Sequence, residues 1–174
     1  QNFQKQMNST KYTLKEVVTA RDEREFLDLP KPSTNMKIYW AGDLTTQFTD
    51  GAEYLGEQRK CGMISDLRHG VMLMPEGTLT NNGTKGNPCL IGDIFGDFRE
   101  ELLLRTEDST AIRIYTTTDV TPHKLPTMMH DPQYRCGIAW QNNCYNQPVY
   151  PSFYYASDMD FRQVYPWLPT KEDE

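Results

Sequence analysis

Residues 80–118 read TNNGTKGNPCLIGDIFGDFREELLLRTEDSTAIRIYTTT, and this stretch decides the fold class. Two apolar runs, LLL at 102–104 and AIRIY at 111–115, flank the polar punctuation EDST, which is the pattern of a β-hairpin. Ahead of them, Asn81, Asn82, Gly83, Thr84, Lys85 and Gly86 lead into Asn87 and Pro88. Gly and Asn tolerate positive φ and Pro ends regular pairing, so this dense turn is a place where a reactive side chain can be held. Between turn and hairpin lies an acidic loop, Gly92 to Glu101.

Outward from this stretch, composition agrees with a β protein. The chain has 174 residues, 37% hydrophobic and 11% aromatic, enough for one ordinary core. Its 11 Gly, 11 Pro and 10 Tyr favour turn-rich β structure over a helix bundle. A formal net charge of -6 argues against nucleic acid or an anionic membrane as partner, since phosphates are met by a basic face. An anionic polysaccharide is repelled as well, unless lysines or a bound cation invert the local field. No run approaches the roughly 20 apolar residues of a membrane span.

Upstream, MKIYW at 36–40 reads as a strand, and GMISD and VMLMP read as short strands separated by LRHG. Residues 1–10 are polar. From Thr13 the period changes: Leu14, Val17, Val18, Ala20 and Phe26 fall near helical spacing, Thr13 and Glu16 make a capping box, and Pro30 stops the helix near Leu29. Downstream, MHDPQYRCGIAWQNN is expected to be a short helical or extended segment, and the six rings beyond Tyr150 are expected in a core. The expected domains are a polar segment with a helix over 1–35 and a β domain over 36–170.

In the acidic loop, Asp93, Asp97 and Glu101 fall at positions 1, 5 and 9 of a run like those that wrap calcium, with Gly96 allowing the bend. Calcium takes roughly six to eight oxygen ligands. Phe95 stands at position 3, where such loops place a polar ligand. The competing reading is that the aspartates cap a tight turn by side-chain to backbone bonds. Cys61, Cys89, Cys136 and Cys144 lack CxxC spacing, which disfavours zinc. They read as free thiols, with a Cys136 to Cys144 bridge as the alternative.

The motifs NGTK, GDxxGDxREE, IRIYTTT, MHDPQYR and AWQN..YNQP, in that order, resemble the rhamnogalacturonan lyases of polysaccharide lyase family 11, which are built on a large calcium-containing β-propeller. The likeness covers roughly positions 36–155. Members are several times longer, so the chain resembles only their C-terminal portion. The resemblance implies a mainly β partial β-propeller of two to three antiparallel blades, because about 120 matching positions at roughly 40–50 per blade give no more. It also implies calcium as cofactor, pectic polysaccharide as substrate, and export. No stretch reads as a signal peptide, and a start at Gln1 without Met is consistent with a removed leader.

Motif by motif, Lys85 resembles the family's catalytic lysine, Asn82, Gly83 and Thr84 its substrate-holding neighbours, and Tyr145 its sugar-contacting tyrosine. Lyases of uronic-acid chains remove the proton beside a carboxylate and then expel the glycosidic oxygen. A lysine either neutralises the carboxylate or, with its pKa lowered by burial or a nearby cation, accepts the proton. The WAGDL segment departs from the family at Ala41, so no site is assigned to Asp43. The family's mechanism also needs an arginine and acidic or amide residues from earlier blades, and nothing in 1–35 resembles those segments.

Two functions follow. The first is a lyase-like β-elimination catalyst, weak or inactive as the isolated chain. The second is a non-catalytic glycan-binding or scaffolding module derived from such a lyase. An open ring leaves apolar faces around Leu102, Leu104, Ile112 and Ile114, which we expect the helix over 13–29 to cover on one side and a homodimer or partner chain on the other.

Overall fold

The computed structural model describes residues 36–53, 60–67, 69–82, 85–143 and 146–169. The expected N-terminal helix lies outside them. Strands β1 (Met36–Ile38), β2 (Gln47–Glu53), β3 (Lys60–Asp66) and β4 (Gly70–Leu73) form an antiparallel meander in chain order. The three upstream strand readings hold at β1, β3 and β4, the sequence reading does not include β2, and His69 sits in the β3–β4 turn as read.

The second antiparallel sheet is built around β7 (Glu101–Thr106). Strands β5 (Thr78–Leu79) and β6 (Leu90–Gly92) pair with one edge of β7, and β8 (Ile112–Tyr115) with the other. The β7–β8 hairpin closes at the polar punctuation. Thr106 N donates to the Ala111 carbonyl at 2.9 Å, and Ser109 takes a positive φ of 58°. The Asp108 carboxyl, accepting from the Thr106 hydroxyl and from the Thr110 N–H and hydroxyl, is held down at about 2.

Alternation along β1 feeds two cores, because successive side chains of a strand point to opposite faces. Met36, Ile38 and Trp40 enter a core between the sheets with Ile64, Ile91, Leu102 and Leu104. The sheets meet closely at a glycine, since a Cβ on Gly62 would lie 2.5 Å from the Leu104 side chain. Fully burying each such leucine contributes about 1.5–3 kcal/mol. This corrects the expectation that all four residues lie on faces left open by the ring: Leu102 and Leu104 are inside, while Ile112 and Ile114 are exposed.

Tyr39, on the other side of β1, joins Leu44, Phe98, Met128, Tyr134, Val149, Tyr155, Phe161 and Tyr165 in a second core. Of the six rings beyond Tyr150, Tyr155, Phe161 and Tyr165 lie in this core and Phe153 packs against it, as expected, whereas Tyr154 and Trp167 are exposed. Helix α1 (Pro132–Trp140) braces this cluster through buried Tyr134 and Gly137. Asp131 caps it by accepting from Gln133 N at 2.9 Å, and Pro132 opens its first turn, where a missing N–H costs nothing.

The two cores are joined by a buried ion pair. Lys37 Nζ lies 2.9 Å from both oxygens of Glu100, and Glu100 also accepts from Tyr39 N at 2.8 Å and the Tyr134 hydroxyl at 2.6 Å. The ammonium sits 3.9 Å from the Tyr39 ring centroid, an attractive cation–π placement. Burial pulls Lys37 below the ordinary lysine value, and the Glu100 carboxylate opposes that shift.

The architecture is mainly β, two antiparallel sheets with one α-helix, and no closed barrel forms among the described residues. Cys61, Cys89 and Cys136 are free thiols, and Cys144 lies outside the described residues.

Candidate functional site

The segment bearing Lys85 is a closed turn on the second sheet. Asn81 N donates to the Asn87 carbonyl at 2.7 Å, and an isolated antiparallel bridge pairs Asn82 with Asn87. Inside it, Gly86 N donates to Asn82 O at 2.8 Å, and Lys85 N donates to the Asn82 side-chain oxygen at 3.0 Å. Asn82 therefore shapes the backbone that carries Lys85. Gly86 has a φ of +66°, and a Cβ there would fall 1.9 Å from Gly51 N. Only glycine lets the turn lie directly on the β2 backbone.

Three amide side chains, Gln141, Asn142 and Asn146, then fasten the turn's exit to the segment around Asn146, while Asn81 ties the turn to its own exit. Asn81 and Asn146 both donate to the Pro88 carbonyl, at 3.4 and 3.1 Å. Asn142 donates to Cys89 O. Gln141 accepts from Ile91 N at 2.9 Å and donates to Ile91 O at 2.7 Å, pairing with β6 as an extra strand would. Tyr145, Gly83 and Thr84 lie outside the described residues, but their neighbours are in place. The structure thus brings the flanks of two separate motifs, about 60 positions apart, alongside each other.

The sequence reading missed Asn81, Gln141, Asn142 and Asn146 as positioning residues. The signal was the density of amides in NNGTKGN for Asn81 and in QNNCYNQ for the other three, since such side chains both donate to and accept from a backbone that strands leave unpaired. Asn146 keeps one liability: its side-chain oxygen is buried with no hydrogen-bond partner among the described residues. Asp43 accepts from Thr45 N and the Thr45 hydroxyl at 3.0 and 2.7 Å, so it shapes a local turn.

The acidic loop is closed by its own carboxylates. Asp93 accepts from Asp97 N at 3.0 Å on one oxygen, and from the Thr127 hydroxyl and Met128 N at 2.7 and 2.8 Å on the other. Glu101 accepts from Ile94 N, Phe95 N and the Thr116 hydroxyl at 2.8, 3.1 and 3.1 Å. Asp97 accepts from Arg99 through backbone and guanidinium. Burial pushes Asp93 and Glu101 above the usual carboxylate range, and these donors pull the other way. Every carboxylate oxygen of the three already faces an N–H or O–H. Among the described residues, no three His, Cys, Asp or Glu side chains gather where a metal ion could sit. As placed, the loop fits self-closure and not a calcium cage.

The profile of the family described as "Rhamnogalacturonan lyase family 11, C-terminal domain" matches residues 6–164. The chain belongs to this family. It is 48% identical over 145 residues to rhamnogalacturonan exolyase YesX of Bacillus subtilis (strain 168), covering 81% of this chain and 23% of that protein. Rhamnogalacturonan endolyase YesW of the same organism is 50% identical over 132 residues, or 73% of this chain and 20% of YesW. The crystal structure of exotype rhamnogalacturonan lyase YesX superposes with a TM-score of 0.69 at 46% identity, over 79% of this chain and 23% of that one. The Bacillus licheniformis rhamnogalacturonan lyase PL11 gives 0.63 at 44% identity, over 76% and 22%. The chain therefore spans less than a quarter of the length of these relatives. It is a lyase-like protein matching the family's C-terminal domain, and none of its described helices is long and apolar enough to cross a membrane.

Proposed function

We propose that this chain is the lysine-bearing portion of an exported rhamnogalacturonan lyase, acting on the pectic rhamnogalacturonan backbone by β-elimination. The observation that carries the reading is the Lys85 turn, closed on itself, laid on β2 and tied through Pro88 to the segment that follows Tyr145. A general base must be held within reach of the proton it removes, and this turn supplies such holding. In the proposed reaction, the proton beside the uronate carboxylate leaves, the glycosidic C–O bond breaks, and a carbon–carbon double bond remains at the new end. Lys85 neutralises the carboxylate or takes that proton. Asn82, Gly83, Thr84 and Tyr145 hold the sugar. The two antiparallel sheets are read as blades of a β-propeller. Calcium at Asp93, Asp97 and Glu101 is suggested by the spacing of the carboxylates and by the resemblance, against the loop's closure by its own hydrogen bonds.

A second reading, for the isolated chain, is a non-catalytic glycan-binding or scaffolding role. Ultraviolet absorbance of unsaturated ends released from rhamnogalacturonan separates the two. Little or no release is expected from the isolated chain, and substitution Lys85→Ala within a full-length lyase carrying it is expected to cost about 100-fold or more. An unaltered rate in that variant would remove Lys85 from the chemistry.

A further inference from the structure

We infer that Trp140 is a stacking platform for a neutral sugar unit beside the uronate that Lys85 engages, so that one saccharide chain crosses both residues. The inference rests on the lyase reading above. Trp140 is the last residue of α1 and is 63% exposed. The helical period accounts for that exposure, because Tyr134, Gly137 and Gln141 are buried along one narrow arc with Ile138 half-buried beside them, and Trp140 falls outside the arc. Its backbone is held on the side facing the Lys85 turn. Gln141 bonds to both the N–H and the carbonyl of Ile91, Asn142 donates to Cys89 O, and Asn143 N closes back on the Trp140 carbonyl at 3.1 Å. Cys89 in turn donates through its thiol to the Asn81 side-chain oxygen at 3.3 Å, and Asn81 N closes the Lys85 turn on Asn87 O. The indole is therefore carried on a segment fastened to the exit of that turn.

A single exposed indole needs no ligand, so the occupant is named by charge and by the side chains around the ring. The chain has a formal net charge of -6, yet residues 136–157 contain no charged side chain, and between Gly77 and Gly92 only Lys85 is charged. The two segments joined here meet an anionic polymer with one positive charge and without the repulsion that the rest of the chain presents. The exposed neighbours Asn81, Asn142 and Asn143 are amides, whose donors and acceptors suit sugar hydroxyls. An aromatic face is negative and attracts the C–H face of a sugar ring. Without a cation of its own, the indole suits an uncharged unit. In rhamnogalacturonan the neighbours of each uronate are rhamnose units, which carry no charge, so the unit beside the one on Lys85 has the chemistry that Trp140 takes.

The test is the affinity of the isolated chain for a rhamnogalacturonan oligosaccharide, by titration calorimetry, in wild type, Trp140→Ala, Trp140→Phe and Trp167→Ala. Trp167 is the control, since it is 67% exposed but packs on Tyr165 in the C-terminal aromatic cluster. We expect Trp140→Ala to bind about tenfold more weakly, Trp140→Phe to fall between it and wild type, and Trp167→Ala to bind as wild type does. A galacturonate homopolymer oligosaccharide should bind wild type more weakly and be indifferent to Trp140→Ala, because a charged unit replaces the neutral one. Melting midpoints should be the same in all four proteins. Equal affinity of wild type and Trp140→Ala overturns the inference, and so does an isolated chain that binds no oligosaccharide, because Lys85 and Trp140 both belong to it. A lowered midpoint in Trp140→Ala, or a dimer that this change disperses, also overturns it, since the ring would then be covered by the chain itself or by a second copy. Lyase activity is not the readout, so a full-length lyase whose rate is unaltered by Lys85→Ala counts against the proposed function and leaves the platform standing.

Discussion

The Asn146 side chain donates to the Pro88 carbonyl across 3.1 Å, joining two motifs that the sequence separates by 58 positions. Pro88 ends the Lys85 turn, so this bond fixes the turn relative to Asn146, the residue after Tyr145 in the sequence. Removing it by Asn146→Ala should cost about 1 kcal/mol, a typical net hydrogen bond, because Asn81 still serves the same carbonyl. Asn146→Asp should cost more, since a second acceptor would then face Pro88 O. Urea midpoints of the two variants check the order; an aspartate variant as stable as wild type would mean the bond is absent.

Glu100 should prove a more sensitive position than Lys37, although the two form one ion pair. Truncating either leaves a buried charge alone, which costs about 3–5 kcal/mol. Glu100→Leu additionally strands the Tyr39 N–H and the Tyr134 hydroxyl, both of which it accepts. Denaturation of Lys37→Met and Glu100→Leu measures the difference, and equal losses would show that the extra donors find other partners.

Much of the fold was readable because its signals are local. LLL, EDST and AIRIY gave the β7–β8 hairpin, and the aromatic run after Tyr150 gave a core. The burial of charge was not readable. Lys37 lies in a strand whose apolar neighbours face the other way, and FREEL looks solvated until Glu100 meets Lys37 from 63 residues away and Glu101 closes the loop. Pairings of that kind are set by which elements the sheets bring together, and no single window contains both partners. The Lys85 turn was legible from its glycines and asparagines, whereas its fastening by Asn146 and Gln141 depended on where α1 ends.

Gly86→Ala should disrupt the turn. A Cβ would meet the β2 backbone at 1.9 Å, at a φ of +66° that alone costs an alanine about 1–2 kcal/mol. Backbone cannot move aside as a flexible side chain does. We expect a lower melting midpoint in the isolated chain and loss of activity in a full-length lyase carrying the change. A variant with unaltered melting would show that the turn does not rest on β2.

Alkaline stability should be set by buried tyrosines. Tyr134, Tyr155 and Tyr39 are held above the ordinary tyrosine value, chiefly by burial and further by the Asp93 and Glu100 carboxylates. Their folded values exceed the unfolded one, so their contribution is complete below about pH 10 and is lost as pH rises beyond it. Lys37, lowered in the fold, acts in the opposite sense, its contribution rising with pH and complete by the ordinary lysine value, so it does not counter the fall beyond. Tyrosinate absorbance should appear together with unfolding for these rings, and Tyr155→Phe should flatten the fall in stability above that pH. Free titration of every tyrosine before unfolding would contradict their burial.

Calcium decides between the two readings of the acidic loop. If Asp93, Asp97 and Glu101 wrap an ion, folded protein alone binds it, and stability rises by RT ln(1 + [L]/Kd), about 2.7 kcal/mol at a hundredfold excess over Kd. The carboxylates instead accept from Asp97 N, Met128 N, Ile94 N, Phe95 N, the Thr127 and Thr116 hydroxyls, and Arg99. An ion here would have to displace these donors, and the loop would lose the bonds that set its backbone. We therefore expect the same melting midpoint in calcium and in chelator, together with destabilisation by Asp93→Ala under both conditions. The two observations must come together, because Asp93 anchors Met128 and Asp97 whether or not calcium is present. A midpoint that rises in calcium, with Asp93→Ala destabilising only there, would establish the loop as a metal site and require its hydrogen bonds to open on binding.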